Sequence, residues 1–377
     1  MVRGVKEFVG KRLEEARLAR GLTQTSLAQM VEKNSSTISG WESERQSPDA
    51  EALRALASVL GVRTTLFLKE QRQDPQAYFY RSNASITVLL QKKARARLKW
   101  AELMVDEMEE WIDFVDPQIP SADIDDLRQV DEKTIENCAA ECRERWSLGE
   151  GPVDNVIASL EEAGCIVVRE ELGGLKMDGV SAWCSAGYRP FILLAEDKAS
   201  AVRSRFDAAH ELGHLVLHRR IDPEKLNKSE YAEMEQQAHR FASNFLMPEK
   251  PFLRDVNALD LDSFVSLKRK WKVSIGAMIM RCYQLDIISD EYRQRLFKYM
   301  SARGWRRSEP LDDVFAPEKP TAMATAIKLL IESGKYERED LLDLFGLNSS
   351  DVEIMAALPK SYLKREAAPV VRLRESI

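Results

Sequence analysis

The chain has 377 residues, which is enough for two or three domains of ordinary size. Hydrophobic residues make up 44% and charged residues 31%, a mixture that excludes a mainly disordered chain. The net charge of −6 excludes a positive coat over the whole surface but allows one small DNA-binding module. Histidine is rare and confined to one stretch, because all four histidines fall between positions 210 and 239.

The N-terminal residues lack the apolar segment of a secretory signal, and no stretch approaches the roughly 18 apolar residues of a membrane span. The cysteines are odd in number and scattered, which favours reduced thiols over a disulfide framework. We therefore expect a cytoplasmic protein without membrane attachment. The cysteines are Cys138, Cys142, Cys165, Cys184 and Cys282.

Short helices separated by polar turns are predicted over the first 70 residues. Apolar spacing and capping residues predict helices over 8–20, 24–31 (capped by Thr23) and 35–43, and a fourth that opens at Pro48-Asp49 and stops at Gly61. The second and third have helix-turn-helix proportions, which would place 35–43 in a DNA major groove.

Short polar side chains on that third helix can donate to phosphates and base edges. Gln24, at the start of the preceding helix, is placed to contact a backbone phosphate. A four-helix protein-interaction module with the same core is the alternative, and helical spacing alone does not decide between them. The predicted DNA contacts are Gln24, Ser35, Ser36, Thr37, Ser39 and Arg45.

Residues 82–115 are predicted to form one or two long helices, with a basic run followed by an acidic one. Solvated helix faces are the favoured interpretation of such runs, and a basic arm that assists DNA contact is the alternative. Residues 117–126 have the composition of a linker. From about 131 the pattern becomes α+β, and strands are predicted over 165–169, 180–184 and 190–194.

Further helices are predicted after that linker, and the helix over 201–218 contains the histidine motif described next. Their predicted ranges are 133–146, a helix ending at 163, 201–218, 230–246, 260–271, 274–284, 290–302, 321–333 and 339–346.

The histidine stretch contains the pattern His-Glu-x-x-His, from His210 to His214. Two histidines four apart lie on one face of a helix and can bind one Zn²⁺, while Glu211 can act as general base toward the attacking water. A chance match in a chain of this composition has a frequency of about 0.004. A helix with hydrogen-bonded structural histidines is the alternative.

A catalytic zinc takes a third protein ligand. His218 lies about 12 Å along the helix from His210 and should not reach the same metal. Glu235 shares the inward face of the next helix with Ala238, so we favour it as the third ligand. His239 is the rival, and it would make a three-histidine site.

The N-terminal helices resemble the Xre/Cro/C1-type family of phage repressors. Residues 8–66 carry the resemblance, mainly through Arg17-Leu-Ala-Arg-Gly-Leu-Thr-Gln-Thr-Ser-Leu-Ala and Ser36-Thr-Ile-Ser-Gly-Trp-Glu. It implies that Gln24 and the polar face of 35–39 contact DNA, usually as a homodimer on a palindromic operator. The sequence departs from the family at Ser43-Glu44-Arg45, where a glycine is common.

Residues 133–305 resemble the ImmA/IrrE (DUF955) metallopeptidases. The motifs run from Arg203 to His218 and from Glu235 to Pro248. The resemblance implies that Glu235 is the third metal ligand and that the protein is bacterial or phage-derived. His239 replaces a usual Asn and Asp207 a usual Thr, and either could alter the surroundings of the ligands.

Together these features predict a mainly α protein with a small β-sheet, of the α+β class. The predicted segments are a helix-turn-helix domain (1–68), a helical linker (69–130), a zincin-like peptidase domain (131–305) and a helical region that senses a signal or binds a partner (306–377).

The predicted function is a DNA-binding regulator with one zinc ion per chain, or Mn²⁺ as the alternative metal. It would cleave a repressor-type protein, or itself, in a stress, DNA-damage or phage-related response. The alternatives are a non-proteolytic factor whose zincin-like domain senses a ligand, and an antitoxin or phage-defence regulator.

Two further side chains near the site have candidate roles. His218 would serve the cleft or the core. A thiolate at Cys184 could occupy the open metal position and keep the enzyme latent, although a packed cysteine is the simpler interpretation.

Overall fold

The structure is a computed structural model that describes residues 5–72, 75, 77–82, 87–172, 177–184, 188–196 and 200–364. The chain divides into two compact units. The first takes its described residues from Met1–Gln71, Leu103–Ile112 and Met323–Ile377, and the second from Arg72–Glu102 and Asp113–Ala322.

Helices dominate both units. Short 3₁₀ segments also occur at Thr64–Leu68, Leu127–Gln129 and Pro223–Lys225. In chain order the α-helices are α1 Gly10–Ala19, α2 Gln24–Met30, α3 Ser35–Glu42, α4 Ala50–Leu60, α5 Val88–Met108, α6 Glu132–Arg145, α7 Val156–Glu162, α8 Ala201–Leu217, α9 Lys228–Leu246, α10 Glu249–Asp255, α11 Leu261–Trp271, α12 Ile275–Gln284, α13 Asp290–Ala302, α14 Ala322–Glu332, α15 Arg338–Phe345 and α16 Ser349–Met355.

The described residues form one four-stranded sheet with the order β1-β3-β4-β2. Strand β3 pairs antiparallel with β1 and β4, whereas β2 pairs parallel with β4. This mixed sheet among many helices confirms the predicted α+β class. The strands are β1 Tyr78–Ser82, β2 Ile166–Glu170, β3 Met177–Cys184 and β4 Arg189–Ala195.

The first unit begins with the compact set α1 to α4. The Thr23 side chain accepts a hydrogen bond from the backbone of Ser26 and caps α2, and Asp49 caps α4 in the same way through Ala52. Helix α4 ends at Gly61 in the left-handed conformation, with a φ of 59°. These caps and stops are the signals that the sequence predicted.

The last three helices, α14 to α16, belong to the same unit as the helix-turn-helix. The Arg20 guanidinium donates to the Asp351 carboxylate at 2.9 and 2.5 Å, and Val62 forms an isolated β-bridge with Leu347. A Cβ on Gly346 would come within 2.7 Å of the Leu66 backbone, so the close approach requires glycine. The C-terminal region is thus part of this unit, not a consecutive separate segment.

The second unit places α8 against the sheet and α9 against α8. The Trp183 indole on β3 donates to the Leu215 carbonyl on α8 at 3.1 Å. A Cβ on Gly213 would lie 3.2 Å from the Ala238 backbone, so this glycine lets α8 and α9 approach closely. The core of the unit therefore fixes the two helices that carry the histidine motif and Glu235.

The segment predicted as a linker is more structured than expected. It contributes β1 to the sheet and contains the single helix α5, which is shorter than the predicted range. Residues 117–126 have no helix or strand, but Gln118 and Ala122 donate backbone hydrogen bonds to Ala163 and Val216 at 2.9 and 3.0 Å. Among the helices of the described residues, none is both long and apolar enough to cross a membrane.

Candidate metal centre and DNA-binding helix

Helix α8 presents His210 and His214 on one face, as the spacing of four predicts. Both side chains are fully buried, and their Nε2 atoms lie 3.0 Å apart. The helix continues without a break to Leu217. Both imidazoles therefore point at a common position beside α8.

Helix α9 brings a carboxylate to the same position. The Glu235 oxygens lie 3.4 Å from His210 Nε2 and 3.2 Å from His214 Nε2. Burial raises the pKa of Glu235, but hydrogen bonds from the two histidines outweigh this and lower it well below its usual value. Asn227 and Glu230 form a capping box that fixes the start of α9.

His239 lies one turn beyond Glu235 and joins the group. Its Nδ1 lies 2.9 Å from the Glu235 backbone oxygen, and its ring meets that of His210 edge-on with centroids 4.5 Å apart. One ligand atom from each of these three residues falls within 4.8 Å of the others. The structure thus brings together both candidates for the third ligand.

The donor set fits a divalent metal. Two imidazoles and one carboxylate are the set of a catalytic zinc site, and tetrahedral zinc separates such ligand atoms by about 3.3 Å. The separations of 3.0 to 3.4 Å between His210, His214 and Glu235 agree with this spacing. A group of histidine and glutamate side chains that can hold a metal is therefore present.

Glu211, which follows His210 on α8, is fully buried. Ser181 on β3 donates to its Oε2 at 2.6 Å, while its Oε1 has no hydrogen-bond partner among the described residues. Burial raises the pKa of Glu211 to about 8, although the Ser181 hydrogen bond opposes this. Gly179 leaves room for the carboxylate, because a Cβ there would lie 2.8 Å from Oε1.

His218 orients His214 instead of joining the ligands. Its Nδ1 lies 3.0 Å from His214 Nδ1, and its Nε2 lies 3.0 Å from the Gln237 Oε1. Burial lowers the pKa of His218 to about 3, so the ring is neutral. Gln237 in turn donates to the carbonyls of Leu127 and Val130.

Strand β1 supplies two neighbours that the sequence analysis did not identify. Phe79 stacks on the His214 ring with centroids 5.2 Å apart and planes 6° from parallel. Arg81 lies 2.7 Å from Asp207 and 3.7 Å from Asp178. The run Tyr78-Phe79-Tyr80 has the aromatic character of a strand, which was the available signal.

Cys184 is buried at the end of β3 and is not part of the metal-binding group that the described residues form. Ser181 and Trp183 direct their side chains to α8, so strand alternation turns Cys184 to the opposite face. This arrangement argues against the predicted latch.

The predicted DNA contacts occupy two kinds of environment. On and after α3, the exposed side chains are Ser35, Ser36 and Arg45, while Thr37 and Ser39 are half-buried. Gln24 instead donates its amide to Glu42 at 2.7 Å.

Glu42 joins Gln24 to a buried ion pair. Its carboxylate accepts from Arg17 at 2.6 and 2.9 Å, and Arg17 also donates to the Leu22 carbonyl at 2.8 Å. These bonds connect α1, the start of α2 and the end of α3. They therefore fix the orientation of α3.

Glu44, which stands near the position where the repressor family commonly has glycine, adopts the left-handed conformation with a φ of 58°. This conformation costs a non-glycine residue energy. Its carboxylate compensates by accepting from the Gly10 backbone at 2.9 Å, at the start of α1.

A helix-turn-helix domain together with a domain whose His/Glu group can hold a metal supports a DNA-binding regulator that carries a peptidase domain. Residues 13–67 match a family described as Helix-turn-helix, and residues 160–283 match a peptidase family described as the IrrE N-terminal-like domain. The predicted fusion of an Xre-type helix-turn-helix with an ImmA/IrrE-like peptidase is thereby confirmed. A comparison with curated proteins finds no significant relative.

Proposed function

We propose that the protein is a transcriptional regulator whose central domain is a zinc-dependent endopeptidase. Its substrate is a repressor-type protein or a second copy of itself, cleaved in a stress, DNA-damage or phage-related response. The convergence of His210, His214 and Glu235 beside the buried Glu211 carries the proposal. Family membership of residues 160–283 supports the peptidase class.

The site residues divide the work of peptide hydrolysis. His210, His214 and Glu235 would hold the zinc, and His239 forms a group with His210 and Glu235 that could also offer a ligand. When bound, zinc polarises the scissile carbonyl and stabilises the charge that develops on its oxygen. Glu211 takes the proton from the attacking water and passes it to the departing amine.

Two sets of contacts fix the side chains of the site, one at Glu211 and one at His214. Ser181 fixes one carboxylate oxygen at 2.6 Å, and Oε1 has no hydrogen-bond partner among the described residues, so it can accept the proton of the water. The His218 and Gln237 chain fixes the ring of His214. Both arrangements restrict side-chain motion before substrate arrives.

The helix-turn-helix targets this activity to an operator in double-stranded DNA. The exposed serines at the start of α3 contact the major groove, and Arg45 contacts a phosphate. Gln24 contributes mainly through its bond to Glu42, which positions α3. Residues 1–70 carry 11 basic and 9 acidic side chains, a net charge of only +2, so binding as a homodimer supplies the affinity that one such module lacks.

Replacing the general base without disturbing the ligands tests the proposal. The zinc-loaded protein is mixed with repressor-type proteins encoded beside its gene, and the products are analysed by mass spectrometry. The wild type should give one defined cleavage, and Glu211→Gln should retain one zinc per chain but give none. Glu233→Gln, a change on the surface of α9, should cleave normally.

Two results would overturn the proposal. One is cleavage that persists in Glu211→Gln. The other is zinc-loaded wild-type protein that cleaves none of these repressors but changes its operator affinity with a small molecule, which would favour a ligand sensor.

A further inference from the structure

A cavity of about 930 Å³ opens beside the metal-binding group within the second unit. His239, Arg81 and Asp207 line one end of it, and the His239 ring contacts that of His210. Its size is in the range of sites that enclose a ligand or several peptide residues. A chain bound there would lie next to the bond that the metal centre cleaves.

The floor of this cavity is formed by apolar side chains that remain partly exposed to solvent. Phe206 from α8, Met280 from α12, Phe297 from α13 and Trp305 line it, and each is partly exposed. Covering such surface with another apolar group is favourable at about 25 cal/mol per Å². The floor therefore fits a large apolar side chain.

The carboxylates that line the cavity are engaged by cations of the same unit. Asp207 lies 2.7 Å from Arg81, and the fully buried Lys268 binds Glu309 and Asp312 at 2.9 and 2.6 Å. Glu309 also accepts from the backbone of α12 at its first residues. These groups are consequently compensated within the wall.

The outer rim is basic. Arg203, Arg306 and Arg307 line it, and the last two are exposed. The hydrogen bonds described for Arg203 and Arg306 go to neutral acceptors, the Arg306 carbonyl and the Ser301 hydroxyl. Since each guanidinium has five N–H donors, the rim can also bind a carboxylate.

We propose that this cavity selects the substrate of the metal centre. It takes a large apolar or aromatic side chain close to the cleaved bond, and its arginine rim binds an acidic residue beside it. The inference rests on the proposed peptidase function and specifies its substrate class, an acidic and apolar peptide segment. Charge complementarity makes the arginine rim the discriminating element.

Residues 109–116 of this chain, Glu-Glu-Trp-Ile-Asp-Phe-Val-Asp, have the predicted pattern and provide a probe. A labelled peptide of this sequence is titrated with zinc-loaded Glu211→Gln protein and followed by fluorescence anisotropy. A second peptide carries lysine at each acidic position. The acidic peptide should bind, and the lysine peptide should bind at least about tenfold more weakly.

Variants locate the binding in the cavity. Arg306→Glu combined with Arg307→Glu should reduce affinity for the acidic peptide about tenfold and improve that for the lysine peptide. Ala277→Trp, which fills the floor, should weaken both peptides. Arg128→Glu is the matched control, because its side chain is 80% exposed and lies outside the cavity lining.

Equal binding of the two peptides, or acidic-peptide binding that ignores both cavity variants, would overturn the inference. Cleavage by the wild type is measured separately. Equal cleavage of both peptides would remove the inference and leave the proposed function intact. Selective binding without cleavage of any peptide or repressor would instead count against the proposed function alone.

Discussion

The helix-turn-helix and the metal centre bury polar side chains in different ways. In the helix-turn-helix unit, the Glu42 carboxylate accepts two bonds from Arg17 and one from Gln24. In the peptidase unit, His210 and Glu211 are fully buried, yet His210 Nδ1 and Glu211 Oε1 have no hydrogen-bond partner among the described residues.

Glycines show the same contrast. A Cβ on Gly10 in the first unit would lie 2.3 Å from the backbone carbonyl of Trp41, so this glycine permits helix packing. The three atoms nearest to a Cβ on Gly179 in the second unit all belong to the Glu211 side chain. One glycine serves the architecture and the other makes room for a reacting group.

This difference shows that a polar side chain can be buried for a structural reason or for a functional one. A buried charge with every partner in place orients the elements that it joins, as Arg17 and Glu42 do for α3. A buried polar atom without a partner costs free energy, and such atoms are retained where a ligand or reaction uses them. The comparison predicts that substitutions in the two units will affect different measurements.

The largest expected effect is on metal binding. Glu235→Ala removes the carboxylate that contacts both histidines, so bound zinc should fall well below one per chain and cleavage should be lost. Zinc content after dialysis, measured by atomic absorption, checks this. Glu233→Ala on the same helix is the control and should retain zinc. Stoichiometric zinc in Glu235→Ala would instead assign the third ligand to His239.

Removing Arg17 should mainly affect stability and DNA binding. Arg17→Ala leaves the buried Glu42 carboxylate without its guanidinium, which costs about 3–5 kcal/mol of unfolding free energy. Denaturant unfolding followed by tryptophan fluorescence and operator binding by gel shift measure the two effects. Arg45→Ala, an exposed change, should alter DNA affinity without destabilising the unit. A cost under about 1 kcal/mol would contradict the structural role.

Gly179→Ala should impair cleavage and leave the stability of the protein almost unchanged. The added methyl group would lie 2.8 Å from Glu211 Oε1 and displaces that carboxylate, so cleavage should fall about tenfold while the unfolding free energy changes by less than about 1 kcal/mol. Single-turnover cleavage measures the first effect, and denaturant unfolding measures the second. Gly151→Ala is the control, since a Cβ there meets nothing within 4 Å. Full activity in Gly179→Ala would show that Glu211 tolerates displacement.

Local patterns in the sequence were sufficient for much of the site and fold. The spacing of His210 and His214 places them on one helix face, and the apolar period of the next helix places Glu235 toward them. Caps and stops such as Thr23, Asp49 and Gly61 limit helices through bonds to residues nearby in the chain. These features depend on contacts between residues that are close in the chain, so local sequence patterns are enough to predict them.

Contacts between distant segments were not predictable in the same way. Strand β1 pairs with β3 about a hundred residues later, and so Phe79 and Arg81 reach the site from the predicted linker. Nothing near Gly179 in the sequence indicates that its missing side chain makes room for Glu211. The packing of α14 to α16 in the first unit likewise depends on surfaces far apart in the chain.

The smallest expected effect concerns one of those distant contacts. Arg63 lies 2.5 Å from Glu339 and 2.6 Å from Asp343, whose side chains are 68% and 53% exposed. Solvent screens such pairs, so Arg63→Ala should cost no more than about 1 kcal/mol, and less at high salt. Denaturant unfolding at low and high salt measures this. If Arg63→Ala instead lost as much unfolding free energy as Arg17→Ala, independently of salt, then solvent exposure would not explain the difference expected between the two ion pairs.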